Sequence, residues 1–267
     1  MAKKKLPPFD KYYHYIKAVQ SPDIDCDFIT STYKSLRGKK PKILREDFCG
    51  THAICCDWVK RNKENVAYGI DLDLEPIRYG QKHYASKLKP DQLERLHILN
   101  ENVLSASTPK VDVINALNFS YYLFKNRTLL RHYFKSCRKN LKKDGLLILD
   151  SFGGSHCYER NEERTRISGG KFDYFWEQSG FDPITNETVF YIHFKRDGEK
   201  KRERVFKYDW RVWTIPEIRE IMIEAGFRRT YVYWEGTTKR GYGDGIFRRR
   251  EKGDECEAWI AYIVGEM

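Results

Sequence analysis

Five short apolar runs, separated by segments of helical spacing, constrain this chain more than any other feature of it. Lys42–Glu46, Val66–Leu72 (VAYGIDL), Leu96–Asn100, Val111–Leu117 (VDVINAL) and Leu146–Asp150 (LLILD) each read as a strand. Between them, His52–Lys63 reads as a helix. A second helix has Pro76 in its first turn and Ile77, Tyr84 and Leu88 on one face. Leu129, Leu130, Tyr133, Phe134, Cys137 and Leu141 fall at helical spacing and stop at Asp144-Gly145. Parallel neighbours need crossover connections, so strands alternating with helices mean a parallel sheet.

After Ser151 the period changes to two. Phe172–Glu177, Thr188–Arg196 and Glu203–Trp213 alternate as strands, and Asp197-Gly198 is a hairpin signal that sets Phe190, Ile192 and Phe194 on one face with Phe206, Tyr208 and Trp210. A helix then follows in TIPEIREIMIEAGF. Thr214 and Glu217 form its capping box, Ile218, Ile221, Met222 and Ala225 its apolar stripe, and Gly226 its stop. Tyr231–Glu235 and Ala258–Val264 read as two last strands flanking a Gly/Arg-rich loop. The expected fold is a doubly wound α/β sheet with a small antiparallel insertion after the fifth strand. Its divisions are an N-terminal helical cap over 1–40, a core over 41–155 and 212–267, and an inserted β subdomain over 156–211.

A chain of 267 residues can bury a full core. It has no apolar run of about 18 residues, and MAKKKLPPFDKYYHY lacks the apolar stretch of a secretion signal, so a cytoplasmic protein away from membranes is expected. Seven cysteines, two of them adjacent at Cys55-Cys56, suit reduced thiols. The net charge of +11 points to an acidic partner, nucleic acid first, or equally to a lysine-rich solvated surface.

Doubly wound sheets bind ligands beyond the carboxyl ends of their strands. The first such turn is Glu46-Asp47-Phe48-Cys49-Gly50-Thr51, and Asp71 ends the second strand, where a carboxylate can accept from both hydroxyls of a ribose. A dinucleotide site would place G-x-G-x-x-G in that turn. Here there is one glycine, and two carboxylates that would repel a pyrophosphate but suit a ligand carrying an ammonium and a sulfonium.

LREDFCGTHA resembles motif I of the class I S-adenosylmethionine-dependent methyltransferases, in which an acid precedes a run of alternating glycines. Glu46 matches the acid, Gly50 the central glycine, and Cys49 and Thr51 its neighbours, while Phe48 and His52 stand where glycines are usual. The resemblance implies a Rossmann-like seven-stranded sheet with an antiparallel last strand, and S-adenosyl-L-methionine as cofactor. Under it, Glu46 takes the ammonium and Phe48, Cys49, Gly50 and Thr51 the methionine part. Asp71 with Leu72 takes the ribose, Asn102 and Val103 the adenine, and Asn118 and Phe119 line the methionine end. The insertion is similar to that of glycine-N-methyltransferase-like, small-molecule branches. The implied reaction is in-line methyl transfer to N or O of a small molecule. An RNA methyltransferase competes through net charge, without an N-P-P-Y-like tetrad after the fourth strand. A degenerate binding protein competes through Phe48 and His52.

The remaining conspicuous residues have bland and functional readings. Cys49, His52, Cys55 and Cys56 hint at metal, but Cys55 and Cys56 diverge by about 100° on a helix, so packing thiols and no metal are expected. His156 and Tyr122 are candidates for a base, should the acceptor be a hydroxyl. Tyr12, Tyr13 and Tyr15 either bury one edge of a cap helix or cage a cationic substrate. Trp210 in the insertion and Arg240 in the loop 235–255 are further substrate candidates, and the insertion could also form an oligomer face.

Overall fold

In the computed structural model, residues 6–238 and 243–267 are described. The chain opens with α1 (Lys11–Val19), α2 (Pro22–Arg37), β1 (Ile43–Asp47), α3 (Ala53–Arg61), β2 (Val66–Ile70) and α4 (Leu74–His83). It continues through α5 (Pro90–Leu93), β3 (Leu96–Leu99), β4 (Val111–Ala116), α6 (Arg127–Asn140) and β5 (Leu141–Gly153). Then come β6 (Asn161–Ile167), β7 (Phe172–Gln178), β8 (Glu187–Arg196) and β9 (Arg202–Arg211). The chain closes with α7 (Ile215–Glu224), β10 (Arg229–Thr237), β11 (Gly243–Arg250) and β12 (Trp259–Glu266).

The main sheet runs β11-β10-β12-β5-β4-β1-β2-β3. β1 to β5 are mutually parallel, and β12 lies antiparallel between β5 and β10, as the sequence leads one to expect. The order reverses between β1 and β4, and the crevice there is where a ligand fits in such sheets. The sheet has eight strands rather than seven, because part of the Gly/Arg-rich loop pairs antiparallel with β10 as β11.

Each face of the sheet is covered. α2 and α3 bury Cys26, Ile29, Tyr33, Ile54 and Trp58 against Leu44, Val113 and Ile148. On the other face, α6 and α7 bury Leu130, Tyr133, Phe134, Ile218 and Met222 against Ile114 and Leu147. Each fully buried side chain of this size contributes about 1.5–3 kcal/mol. α7 begins at the Thr214–Glu217 capping box and stops at Gly226, whose φ of 100° is the left-handed stop that glycine allows.

The second sheet is β6-β7-β8-β9, antiparallel throughout. Its register pairs Phe190 with Tyr208 and Ile192 with Phe206 across the Asp197-Gly198 turn. Phe172, Ile192 and Phe194 pack under Phe9, Tyr15 and Val19, so α1 rests on this sheet. At its other end Phe190 and Trp210 join the main core beside Phe152, which roofs the carboxyl ends of β4 and β5. Among the described residues no helix is long and apolar enough to cross a membrane.

Candidate functional site

The turn after β1 is built from three left-handed residues in alternation: Phe48 (φ 59°), Gly50 (φ 50°) and His52 (φ 46°). Phe48 and His52 therefore adopt left-handed backbone of the kind that favours glycine, at a cost of order 1–3 kcal/mol each. The surrounding packing over-determines them. Phe48 lies 5.8 Å from the ring of Tyr133 and 5.9 Å from that of Phe124. The His52 ring is fully buried over α4, where a Cβ on Gly80 would fall 2.4 Å from its Cε1. Neither ring nitrogen of His52 makes a hydrogen bond of regular geometry, the backbone of Gly50 and Gly80 only lying near, and burial pushes its pKa down to about 4, so it is neutral. Gly50 differs: a Cβ there would meet nothing within 4 Å, so the turn presents bare backbone to open space at this point.

That backbone is tied to the end of β2. The Gly50 N–H donates to Asp71 Oδ2 at 2.7 Å, and the Asp73 N–H to Asp71 Oδ1 at 2.8 Å. Asn100 Nδ2 donates to the carbonyls of Asp71 (3.0 Å) and Leu72 (2.9 Å), fixing the loop from the β3 side. Leu72 is 65 % exposed, an apolar side chain left uncovered beside the acid. Asn102 accepts from the Leu104 N–H at 3.0 Å, and Val103 is buried. The fully buried Arg45 donates to the carbonyls of Val103 (3.2 Å) and Ala106 (3.3 Å) and to Asp47 Oδ1 (2.7 Å). Tyr133 donates to Asp47 Oδ2 at 2.9 Å. The loop expected at adenine thus hangs from the floor of the β1 turn.

After β4, Asn118 and Phe119 are also left-handed (φ 56° and 57°), and their N–H groups donate to the Asp150 carboxylate at 2.7 and 2.8 Å. Asp150 joins a set of uncompensated acids. Glu46 accepts from the Cys55 N–H at 3.1 Å and its thiol at 3.0 Å; burial raises its pKa to about 8, and the charges of Asp25 and Asp71 push the same way. Burial likewise raises Asp25 and Asp150 to about 7, and raises Asp71. Among the described residues, no lysine or arginine pairs with any of the four. Asp25 comes from α2, where Tyr262 donates to it at 3.4 Å, and nothing in the sequence links it to this site. Asp150 closes the apolar run LLILD and could have been singled out there, although β5 itself runs on to Gly153.

Beside these strand ends lies a cavity of about 370 Å³. Asn118 and Phe119 form one side of it, Tyr174, Trp176, Tyr208 and Trp210 of the second sheet another, and Tyr15 of α1 a third. Of the sequence candidates for substrate, Tyr15 and Trp210 line this cavity. Tyr12 packs on Tyr79 of α4 at 4.9 Å, Tyr13 is 43 % exposed on α1, and Arg240 lies outside the described residues. His156 lines the cavity with its Nε2 3.5 Å from Glu257 Oε2. Tyr122 is turned into the core, where its hydroxyl sits 2.7 Å from Ser151 Oγ and donates to the Trp213 carbonyl at 3.2 Å.

The thiols behave as packing groups. Cys55 donates to Glu46, Cys49 packs on Gly69, and burial raises Cys49, Cys55 and Cys56 alike. One group with metal-like spacing among the described residues is Glu162, Glu177 and His193, on the second sheet. There His193 Nδ1 accepts from the Arg204 N–H at 2.8 Å, which leaves the ring proton on Nε2, donated to Glu177 at 2.7 Å. Lys201 pairs with Glu162. The cluster is satisfied without an ion.

No protein-family model matches the chain, and no curated protein matches it in sequence. Its backbone does match solved structures along almost its whole length. An S-adenosylmethionine-dependent methyltransferase from Clostridium acetobutylicum is 18 % identical, with a TM-score of 0.68 over 96 % of this chain and 98 % of that one. CalS10, an amino pentose methyltransferase from Micromonospora echinaspora, is 11 % identical, with a TM-score of 0.66 over 99 % and 100 %. DesVI from Streptomyces venezuelae is 14 % identical, with a TM-score of 0.65 over 96 % and 95 %. The doubly wound sheet with its antiparallel β12 is thus a known architecture: the chain has the fold of the class I S-adenosylmethionine-dependent methyltransferases.

Proposed function

We propose that this protein is an S-adenosylmethionine-dependent methyltransferase that methylates a small molecule at N or O. The observation behind this reading is a set of four acids, Glu46 and Asp150 buried and Asp25 and Asp71 half-buried, with which no lysine or arginine pairs among the described residues. Buried like charges with raised pKa values are costly until a cation arrives. A ligand bearing an ammonium and a sulfonium answers that need, whereas a pyrophosphate would worsen it.

The residues fit such a cofactor part by part. Glu46 and the bare backbone at Gly50 would hold its methionine end, Asp71 its ribose, and Leu72, Asn102 and Val103 its adenine. When bound, the cofactor supplies an electrophilic methyl group on a sulfonium. What the chain contributes is alignment and exclusion of water. Asp150 does this by fixing the Asn118-Phe119 backbone, which forms the boundary between cofactor crevice and cavity. The second sheet and α1 close the opposite side.

Isothermal calorimetry tests the reading. S-adenosylhomocysteine should bind at micromolar level and NAD should not bind measurably. Binding of NAD in its place, or of neither, overturns it.

A further inference from the structure

The cavity wall contains two glutamates, Glu163 and Glu235, and among the described residues no lysine or arginine. This is unexpected for a chain of net charge +11. The two acids differ in their partners. Glu235 Oε1 accepts from the Gly245 N–H at 2.9 Å, while Glu163 has no ion pair or hydrogen bond among the described residues. Glu163 sits on β6 directly opposite Trp176 on β7, in the row that also presents Tyr174, two residues away on the same strand face. A solvent-reachable carboxylate left without a partner at the rim of an aromatic-walled cavity is a receptor for a cation.

We propose that the cavity takes an organic amine as the methyl acceptor, its ammonium held by Glu163 and by the faces of Tyr174 and Trp176, and its apolar body by Ile192 and Trp210. This rests on the methyltransferase reading above and narrows it from N or O to an amine nitrogen. The transfer then balances simply. The bound ammonium gives one proton to Glu163 or to water at the cavity mouth. The freed nitrogen pair forms the new N–CH3 bond while the S–CH3 pair returns to sulfur. The products are S-adenosylhomocysteine and an N-methylated ammonium. An amine needs no strong base for this step, in keeping with a Tyr122 hydroxyl that is committed to the core.

The experiment uses the full chain and three probes of one shape and different charge: phenethylamine, 2-phenylethanol and phenylacetate. Trp176, Trp210 and Trp259 line the cavity, so tryptophan fluorescence reports binding directly, with no turnover required. At pH 7.5 phenethylamine should bind at least tenfold more tightly than either of the other two. Glu163→Gln should abolish that preference while leaving 2-phenylethanol unchanged. Glu162→Gln, on the opposite face of the same strand, should leave the preference intact. Absent phenethylamine binding, equal binding of the alcohol or the acid, or a preference that survives Glu163→Gln would each overturn the proposal. S-adenosylhomocysteine titration of the same samples separates the two readings. If it binds but the amine preference fails, only the acceptor assignment falls; if it does not bind, the methyltransferase reading falls.

Discussion

The Gly50 N–H donates to Asp71 Oδ2 at 2.7 Å, so the turn after β1 and the acid ending β2 form one unit. Asp71 has two duties there: it shapes the turn and it offers a carboxylate to a ribose. Asp71→Ala should lower S-adenosylhomocysteine affinity at least 30-fold, about 2 kcal/mol, since a hydrogen bond to a charged group is lost on the ligand side and the turn is loosened. Asp71→Asn can still accept from Gly50 and should lose less. Calorimetry on both variants checks the order; equal losses would mean that the charge carries the whole effect and the bond to Gly50 adds nothing.

The crowding of acids makes stability depend on pH in a definite direction. Glu46 (about 8), Asp25 and Asp150 (about 7 each) bind protons in the folded state that the unfolded chain has already released near pH 4. Folded-state protons in excess mean stability falls as pH rises through that window. His52, depressed to about 4, acts oppositely, but its contribution is complete above about pH 6.5. Between pH 6.5 and 8.5 the carboxylates act, joined toward the upper end by the buried thiols, which keep their protons in the fold while the unfolded chain releases its own. The melting temperature of the ligand-free protein should therefore drop by about 5 °C or more. Glu46→Gln should flatten that drop, and saturating S-adenosylmethionine should reduce it. Thermal scans at three pH values decide; a rising melting temperature over this range would show that the acids are compensated.

The Arg45–Asp47 pair is wholly buried and also holds the carbonyls of Val103 and Ala106. Removing one member leaves an unpaired buried charge, which costs about 3–5 kcal/mol. Asp47→Ala should therefore lower the melting temperature steeply. The double variant Arg45→Met, Asp47→Leu should recover most of that stability yet still bind S-adenosylhomocysteine weakly, because the loop under adenine has lost its anchors. Paired measurements of melting and affinity test this; full recovery of affinity in the double variant would remove Arg45 from any positioning role.

How far these relationships were readable from the chain varies with their range. The five parallel strands, the capping box at Thr214 and the Phe190–Tyr208 face of the insertion follow from local periodicity, which tertiary packing here reinforces. β6 (NEERTRI) was invisible because it is an edge strand with little burial on either face, so nothing imposes alternation. β11 hid in a Gly/Arg run, anchored chiefly by Phe247 against Tyr262 at 4.6 Å. In the site, Glu46, Gly50 and Asp71 were legible as strand-end letters. Asp25 was not, since only the folded chain brings α2 beneath Tyr262. Phe48 and His52 read as departures from a glycine pattern, and only the backbone reveals that they adopt left-handed angles of the kind that favours glycine.

Those angles make a last prediction. Phe48→Gly releases the left-handed strain of a non-glycine residue, a gain of order 1 kcal/mol, but removes a ring packed beside Phe124 and Tyr133. Deleting a buried phenylalanine side chain costs about 3–5 kcal/mol, and Phe48 is only partly buried, so a net loss of about 2 kcal/mol is expected. Affinity for S-adenosylhomocysteine should change no more than threefold, because the Gly50 N–H and the φ pattern of the turn survive the exchange. A Phe48→Gly variant that is less stable yet binds normally would mean the aromatic residue supports the turn from below. A variant whose affinity rises tenfold or more would mean the ring obstructs the cofactor, and that the turn as it stands has traded binding for packing.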